Sequence, residues 1–224
     1  MKQLLRILML GYVLAGLPAC AKPLTYSAEP IEAWVIDAAT KKPLEGVVVT
    51  ANWQLEEGTL GGNVQVGQLM VLEAVTDKSG RFYFPAWGPL KVAKGHLVSE
   101  DPQLLIFKSG YQSLRLSNQY TSDRELRLRP VRRSDWNGKT IEMKSFRGTS
   151  EEYARHLSFL HTGINSIFYR DKCAWKKIPR MVVALDKQET FFRNAKIYSS
   201  LYSINDLPNN ECGSPKELLR EFML

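Results

Sequence analysis

Three histidines, three cysteines, five tryptophans and a group of arginines are the residues of this chain whose types could do chemistry. His96 precedes Glu100 in an H-x-x-x-E spacing, within a run from Pro85 to Pro102 that reads as a long connection between strands. His156 and His161 stand five apart, about 140° around a helix, whereas two ligands of one metal need the step of four that returns to one face. Both read as helix-surface or packing histidines. The sequence has no G-x-S-x-G elbow, P-loop or G-x-G-x-x-G turn, so neither a serine nucleophile nor a phosphate cradle is indicated. What remains is binding. Trp34, Trp53, Trp87, Trp136 and Trp175 could form a sugar-stacking platform, or else core and rim. Arg124, Arg127, Arg129, Arg132 and Arg133 could meet an acidic surface, or else form a solvated strand face. The expected ligand surface, if one exists, is Trp53, Trp87, Arg127, Arg129, Arg132 and Arg133. No catalytic residue, metal or cofactor is expected.

The elements that carry these residues begin with an address. Lys2 and Arg6 precede an apolar run from Ile7 to Gly16, followed by Leu17-Pro18-Ala19-Cys20. That is the layout of a secretory signal peptide, at about half the ~20 residues a spanning helix requires. Leu17-Pro18-Ala19-Cys20 resembles a bacterial lipobox, in which the cysteine is lipidated and becomes the first mature residue; Pro18 is unusual at its position. The resemblance implies a lipid anchor on Cys20 and, with Ala21 next, a place on the periplasmic side of the outer membrane. The alternative is a soluble periplasmic or secreted protein cut after Ala19 or Ala21.

The composition of 224 residues, 44% hydrophobic and 24% charged, with 15 Gly and 11 Pro, excludes a disordered chain, a collagen and a polytopic membrane protein. The formal charge is +7. Without residues 1–20 it falls to +5, because Lys2 and Arg6 are lost. Residues 21–130 carry 12 basic and 12 acidic side chains, and residues 131–224 carry 16 and 11. The excess therefore belongs to the tail. Export, together with the lack of a recognisable binding motif, argues against nucleic acid as the partner.

After a linker at 21–30, short β-rich runs follow. Ile31 to Asp37 and Val47 to Trp53 are the first two, and in the second Val47, Val49, Ala51 and Trp53 share one face. The stretch from Glu57 to Gly67 holds four glycines and reads as too flexible for an element interior. Leu69 to Thr76, Arg81 to Phe84, Leu104 to Lys108, Ser113 to Leu116 and Arg124 to Arg129 complete a set of seven strands. The fold class expected is mainly β with a C-terminal α part: a seven-stranded antiparallel β-sandwich over 31–130, a linker at 131–148, with a stray strand at Thr140 to Lys144 as the alternative, and a helical region at 149–224.

Three motifs in order, Ile36-Asp37-Ala38-Ala39-Thr40-Lys41-Lys42-Pro43-Leu44-Glu45-Gly46-Val47, then Thr76-Asp77-Lys78-Ser79-Gly80-Arg81-Phe82-Tyr83-Phe84, then Lys108-Ser109-Gly110-Tyr111, resemble the carboxypeptidase regulatory-like domain family. The resemblance implies a transthyretin-like sandwich. Lys41 stands where the family's turn has glycine. Asp77 reads as an acceptor for turn amides, with a calcium ligand as the alternative. The zinc carboxypeptidases that often carry such a sandwich use H-x-x-E, which this chain lacks at His96.

In the tail, Thr149 and Glu152 have capping-box spacing ahead of Tyr153, Leu157, Leu160, Ile164 and Ile167, the apolar stripe of a helix. Gly163 inside it marks a close packing point. A second helix runs from Cys173 or Pro179 to Arg193, and a third opens at Ser214-Pro215. Cys173 and Cys212, an even pair once Cys20 is set aside, are expected to form a disulfide in an oxidising compartment. Two free thiols or metal ligands are the rivals, and no histidine at ligand spacing supports the latter. The functional expectation is a non-catalytic cell-envelope lipoprotein acting as a binding or structural module. Its partners would be the membrane, through Cys20, and an acidic envelope protein or polysaccharide. The alternative is a carbohydrate- or peptidoglycan-binding accessory module, and a third reading is a hydrolase with an unrecognised site.

Overall fold

The computed structural model describes residues 24–120, 129–208 and 211–223. The signal-like segment with Cys20, and most of the seventh expected strand with Arg124 and Arg127, lie outside the described residues. Sheets come first and helices last. The strands are β1 (Leu24–Ala28), β2 (Ile31–Asp37), β3 (Val48–Thr59), β4 (Gly62–Val75), β5 (Arg81–Phe84), β6 (Trp87–Val92), β7 (His96–Leu97), β8 (Gln103–Phe107), β9 (Leu114–Leu116), β10 (Val131–Arg132) and β11 (Thr140–Met143). The helices are α1 (Ser150–Phe168), α2 (Pro179–Asn194), α3 (Pro215–Leu218) and α4 (Arg220–Met223).

Among the described residues three sheets form, in the orders β10-β1-β6, β11-β2-β5 and β4-β3-β8-β9, with β7 added to β3. Most pairings are antiparallel, but β10 joins β1 and β11 joins β2 in parallel. The expected count of seven antiparallel strands is therefore exceeded. The 21–30 linker contains β1, because Tyr26 and Ala28 are buried and Ser27 and Glu29 donate backbone bonds to Pro130 and Arg132. The segment at 131–148 contains β10 and, at the place of the alternative strand, β11, which return from far along the chain to the open edges of β1 and β2. Periodicity over the two residues of β10 is too short to announce a strand.

Two further segments expected as loops are ladders. Glu57 to Gly67 belongs to the β3–β4 hairpin, in which Thr59 pairs with Gly62. Its glycines sit at the tip and at a register shift: Gly67, at φ +152°, opposes Leu55 where the pairing slips, a normal use of glycine in a bulged strand. Within Pro85 to Pro102, β6 pairs with β1. It is an edge strand, and Pro89 falls at the register shift between the Tyr26–Leu90 and Ala28–Trp87 pairs, a place where a sheet tolerates proline.

The β4-β3-β8-β9 sheet separates two hydrophobic cores. Val47, Val49, Ala51, Trp53, Leu104 and Ile106 face the other two sheets and pack on Ile31, Ala33, Val35, Phe82, Phe84 and Ile141. Val48, Val71, Leu105 and Phe107 point the other way and pack on the helices. The alternation read in Val47 to Trp53 thus assigns each residue to its core. The motif turns are formed as their residues require. Lys41 takes φ +57°, the left-handed conformation that glycine adopts without cost. At Gly80, a Cβ would stand 2.4 Å from the Val35 carbonyl oxygen.

The helical layer also follows local rules. Thr149 and Glu152 form the reciprocal capping box of α1. Gly163 faces Leu105, where a Cβ would come within 2.7 Å of Cδ1, so glycine sets the distance between helix and sheet. Helix α2 opens on Pro179 with no side-chain cap from Ile178. Instead Glu73 of β4 accepts the backbone N–H groups of Arg180 at 3.0 Å and Met181 at 2.7 Å. Cys173 and Cys212 are joined in a disulfide with Cα atoms 5.4 Å apart. It ties the segment entering α2 to the segment entering α3.

Candidate functional site

The tryptophans do not make a platform. Trp53 is 1% exposed and Trp87 8%, and their rings meet edge to face at 5.3 Å inside the core between the sheets. Trp175 is fully buried under the helices. Trp136 is half-buried and donates its indole N–H to the Ser117 carbonyl. A ring with both faces packed cannot stack on a sugar, so Trp53 and Trp87 leave the expected ligand surface.

The arginines are also divided. Arg129 and Arg133 are exposed, and Arg133 pairs with Glu29 at 2.7 Å. Arg132 is only 4% exposed; its Nη2 donates to the Leu97 carbonyl, and its guanidinium lies 5.3 Å from the centre of the Tyr26 ring. Burial draws its pKa down, opposed by Tyr26 and Asp101. Asp101 is itself buried; desolvation raises its pKa well above the carboxylate range, although the Gln54 N–H donates to it at 2.6 Å. This charge at the junction is a structural element of the sandwich edge, and Arg127 lies outside the described residues.

The histidines are packing groups. His96 Nε2 lies 3.3 Å from Glu56 on the neighbouring strand, not beside Glu100. His156 Nε2 accepts the Ser113 N–H at 3.0 Å, and burial lowers its pKa. His161 stacks on Tyr202 with ring centres 4.9 Å apart. Asp77 accepts from Ser79 and Arg81 as a turn residue does. Among the described residues, no three His, Cys, Asp or Glu side chains gather as a metal cluster.

A cavity of about 670 Å³ opens where the sandwich end meets α1 and α2. Its wall is Val48 and Phe107 from the sheet, Phe146, Tyr153 at the start of α1, and Ala184 and Phe191 from α2. Its polar groups are Lys108, Ser109, Lys187 and Gln188, together with Thr149 and Ser150 at the N-terminus of α1. The turn after β8 positions Lys108 and Ser109: the Gly110 N–H donates to the Tyr153 hydroxyl at 3.0 Å, and that hydroxyl donates to the Tyr111 carbonyl at 3.2 Å. Lys108 Nζ reaches the Glu45 carbonyl at 2.8 Å, and Lys187 Nζ the Met223 carbonyl at 3.2 Å. Gln188 is 7% exposed, and its Oε1 accepts from the Ser109 hydroxyl at 2.8 Å. Among the described residues, no carboxylate is part of the cavity lining.

Sequence reasoning missed this site. Lys108 to Tyr111 was legible only as a turn motif. The available signal was a second stripe on α2, in which Ala184, Gln188 and Phe191 recur at steps of four and three beside the core stripe of Val182, Leu185 and Phe192. Phe191 is 53% exposed while Phe192 is buried, so the aromatic pair straddles the boundary between cavity and core.

No family model matches the chain, and no curated protein does. Solved structures are similar over part of it. One is 3-chlorocatechol 1,2-dioxygenase from Rhodococcus opacus 1CP, at 14% identity over 56% of this chain and 62% of that one, with a TM-score of 0.34. Another is hydroxyquinol 1,2-dioxygenase from Pseudomonas putida DLL-E4, at 14% identity over 54% and 57%, with a TM-score of 0.30. The plantain pollen allergen Pla l 1 matches at 10% identity over 56% and 97%, with a TM-score of 0.25. The chain spans less than two thirds of either dioxygenase. Likeness at these scores carries no argument about activity.

Proposed function

We propose that this chain is an exported, lipid-anchored cell-envelope protein whose sandwich and helical tail act together as a non-catalytic binding or structural module. The observation that carries the reading is the Cys173–Cys212 disulfide, in a chain whose first residues have the signal-peptide layout and end in Leu17-Pro18-Ala19-Cys20. Disulfides persist where thiols are kept oxidised. Among the described residues no helix is long and apolar enough to cross a membrane, so attachment in this reading rests on acyl chains at Cys20. The part from 31 to 130 is a transthyretin-like module of the carboxypeptidase regulatory-like kind, supported by the three motifs and their turns. Its place is the periplasmic side of the outer membrane, with an acidic envelope protein or polysaccharide as partner.

The test is incorporation of labelled palmitate in growing cells. Wild-type protein takes up label and fractionates with the outer membrane, and Cys20→Ser does neither. Label that persists in Cys20→Ser would remove the anchor from the proposal. Two titratable thiols in native Cys20→Ser protein would remove the oxidising compartment.

A further inference from the structure

We infer that the cavity between the sandwich end and the two long helices binds a single-chain amphiphile with an anionic head group, of the long-chain carboxylate class. This deepens the binding-module reading above and rests on it for biological meaning, but its chemistry stands on the cavity alone.

The volume of about 670 Å³ lies within the roughly 300–1,000 Å³ typical of small-molecule sites. Two kinds of surface divide it. Val48, Phe107, Phe146, Tyr153, Ala184 and Phe191 present carbon from four separate segments. An aqueous cavity with such walls gains free energy when an apolar chain displaces its water. Phe191 at 53% exposure is otherwise an unexplained aromatic on a solvent-facing helix.

The polar side accepts one sign of charge. The ionisable lining groups besides the Tyr153 phenol are Lys108 and Lys187. Both bond only to backbone carbonyls, of Glu45 and Met223, and have no carboxylate partner. The first turn of α1 holds Glu151 and Glu152, and the Glu152 carboxylate accepts the Thr149 N–H at 2.8 Å, so the lysines and not the helix end supply the positive charge. Gln188, more than nine-tenths buried, has its carbonyl committed to Ser109, so its amide N–H groups remain to donate. Two ammonium groups and an amide donor over an apolar trough match a carboxylate carrying one long chain. A neutral chain would leave the lysine pair without a counter-charge, and a short anion would leave the aromatic wall wet.

The experiment measures equilibrium binding of sodium palmitate to full-length Cys20→Ser protein, which carries no acyl group of its own. Saturable binding of one palmitate per chain is expected. Hexadecanol, which has the same chain without charge, and butyrate, which has the same head without the chain, should each bind at least tenfold more weakly. Lys108→Glu with Lys187→Glu reverses the head-group charge on partly or fully exposed positions and should weaken palmitate at least tenfold. Ala184→Trp fills the trough and should abolish binding. Unchanged melting temperature and absence of free thiols establish that each variant is folded. Non-saturable uptake, hexadecanol binding as tight as palmitate, or full binding by folded Ala184→Trp would overturn the inference. Because Cys20 is absent throughout, failure here leaves the anchor standing, and failure of the anchor leaves this result intact.

Discussion

The two faces of the β4-β3-β8-β9 sheet come from alternate residues of the same strands, yet they are built differently. Toward the other sheets, Val49, Ala51, Trp53, Leu104 and Ile106 meet an apolar layer that closes on itself. Toward the helices, Val48, Leu105 and Phe107 are interspersed with Thr50, Asn52 and Glu73, and contact is completed by specific devices. Glu73 caps α2, Gln65 donates to the Ser166 carbonyl at 2.7 Å, Gly163 seats on Leu105, and a disulfide bridges the layer. The difference teaches that a sheet-on-sheet core can rely on area alone. A helical layer of two long helices and two short ones needs points of attachment, and between those points it leaves a cavity.

The largest effect should come from the closed face. Trp53→Ala removes a side chain that is 1% exposed and should cost about 3–5 kcal/mol in urea unfolding. A loss under about 1 kcal/mol would mean that the ring is available at the surface after all.

Next, Cys173→Ala with Cys212→Ala opens a closure of sequence separation 39 and should cost about 2–4 kcal/mol. Hydrogen exchange should show protection lost mainly in α2 and α3, with β2 and β8 retaining theirs. Uniform loss through both cores would erase the distinction drawn between them.

Gly163→Val forces a branched side chain against Leu105 and should cost about 1–3 kcal/mol by overpacking. Combined with Leu105→Ala, the cost should be less than the sum of the two single effects, as expected of groups in direct contact. Strict additivity would mean that helix and sheet do not touch there.

The smallest effect is the most specific to the helical face. Burial raises the Glu73 pKa from 4.5 to about 6, and the two amide donors only partly oppose it. A raised folded pKa stabilises below the unfolded value and loses that contribution as pH rises through about 6, a total of about 2 kcal/mol. Glu73→Gln keeps an acceptor without a charge, so unfolding free energy measured from pH 4 to 7 should lose this downward slope. His156 has the opposite sign. Its lowered pKa makes its contribution complete above about 6.5 and lost as pH falls toward the folded value, while buried Asp101, raised like Glu73, keeps a downward component in both proteins, so Glu73→Gln should be less downward than wild type rather than flat. A Glu73→Gln profile parallel to wild type would show that the carboxylate does not sense its burial.

Much of the architecture was legible because it is governed locally. The period-two pattern from Val47 to Trp53, the box of Thr149 and Glu152, the stripe from Tyr153 to Ile167 and the Cys173/Cys212 pair each declare themselves within one segment or by elimination. Gly163 was legible as a close approach, though not its partner Leu105. The strands β1 and β10 were not legible, because a two- to five-residue strand exists only where a distant edge accepts its backbone, whereas β11 was legible as the alternative strand at Thr140 to Lys144. The glycines of β4 misled for a related reason: hairpin pairing overrode their local preference. The site was the least legible part, since its lining residues come from segments as far apart as Gly46 and Phe191.

The sequence by itself determined which elements are helix or major strand, which face of each is apolar, and which cysteines can pair, since propensity, period and parity are properties of neighbours along the chain. Only the tertiary structure decided that Trp53 and Trp87 lie inside, that Arg132 is buried against Tyr26, and that Lys108 and Lys187 line one largely apolar cavity. Burial and charge environment depend on what the rest of the chain brings to a point in space, and no local pattern records that.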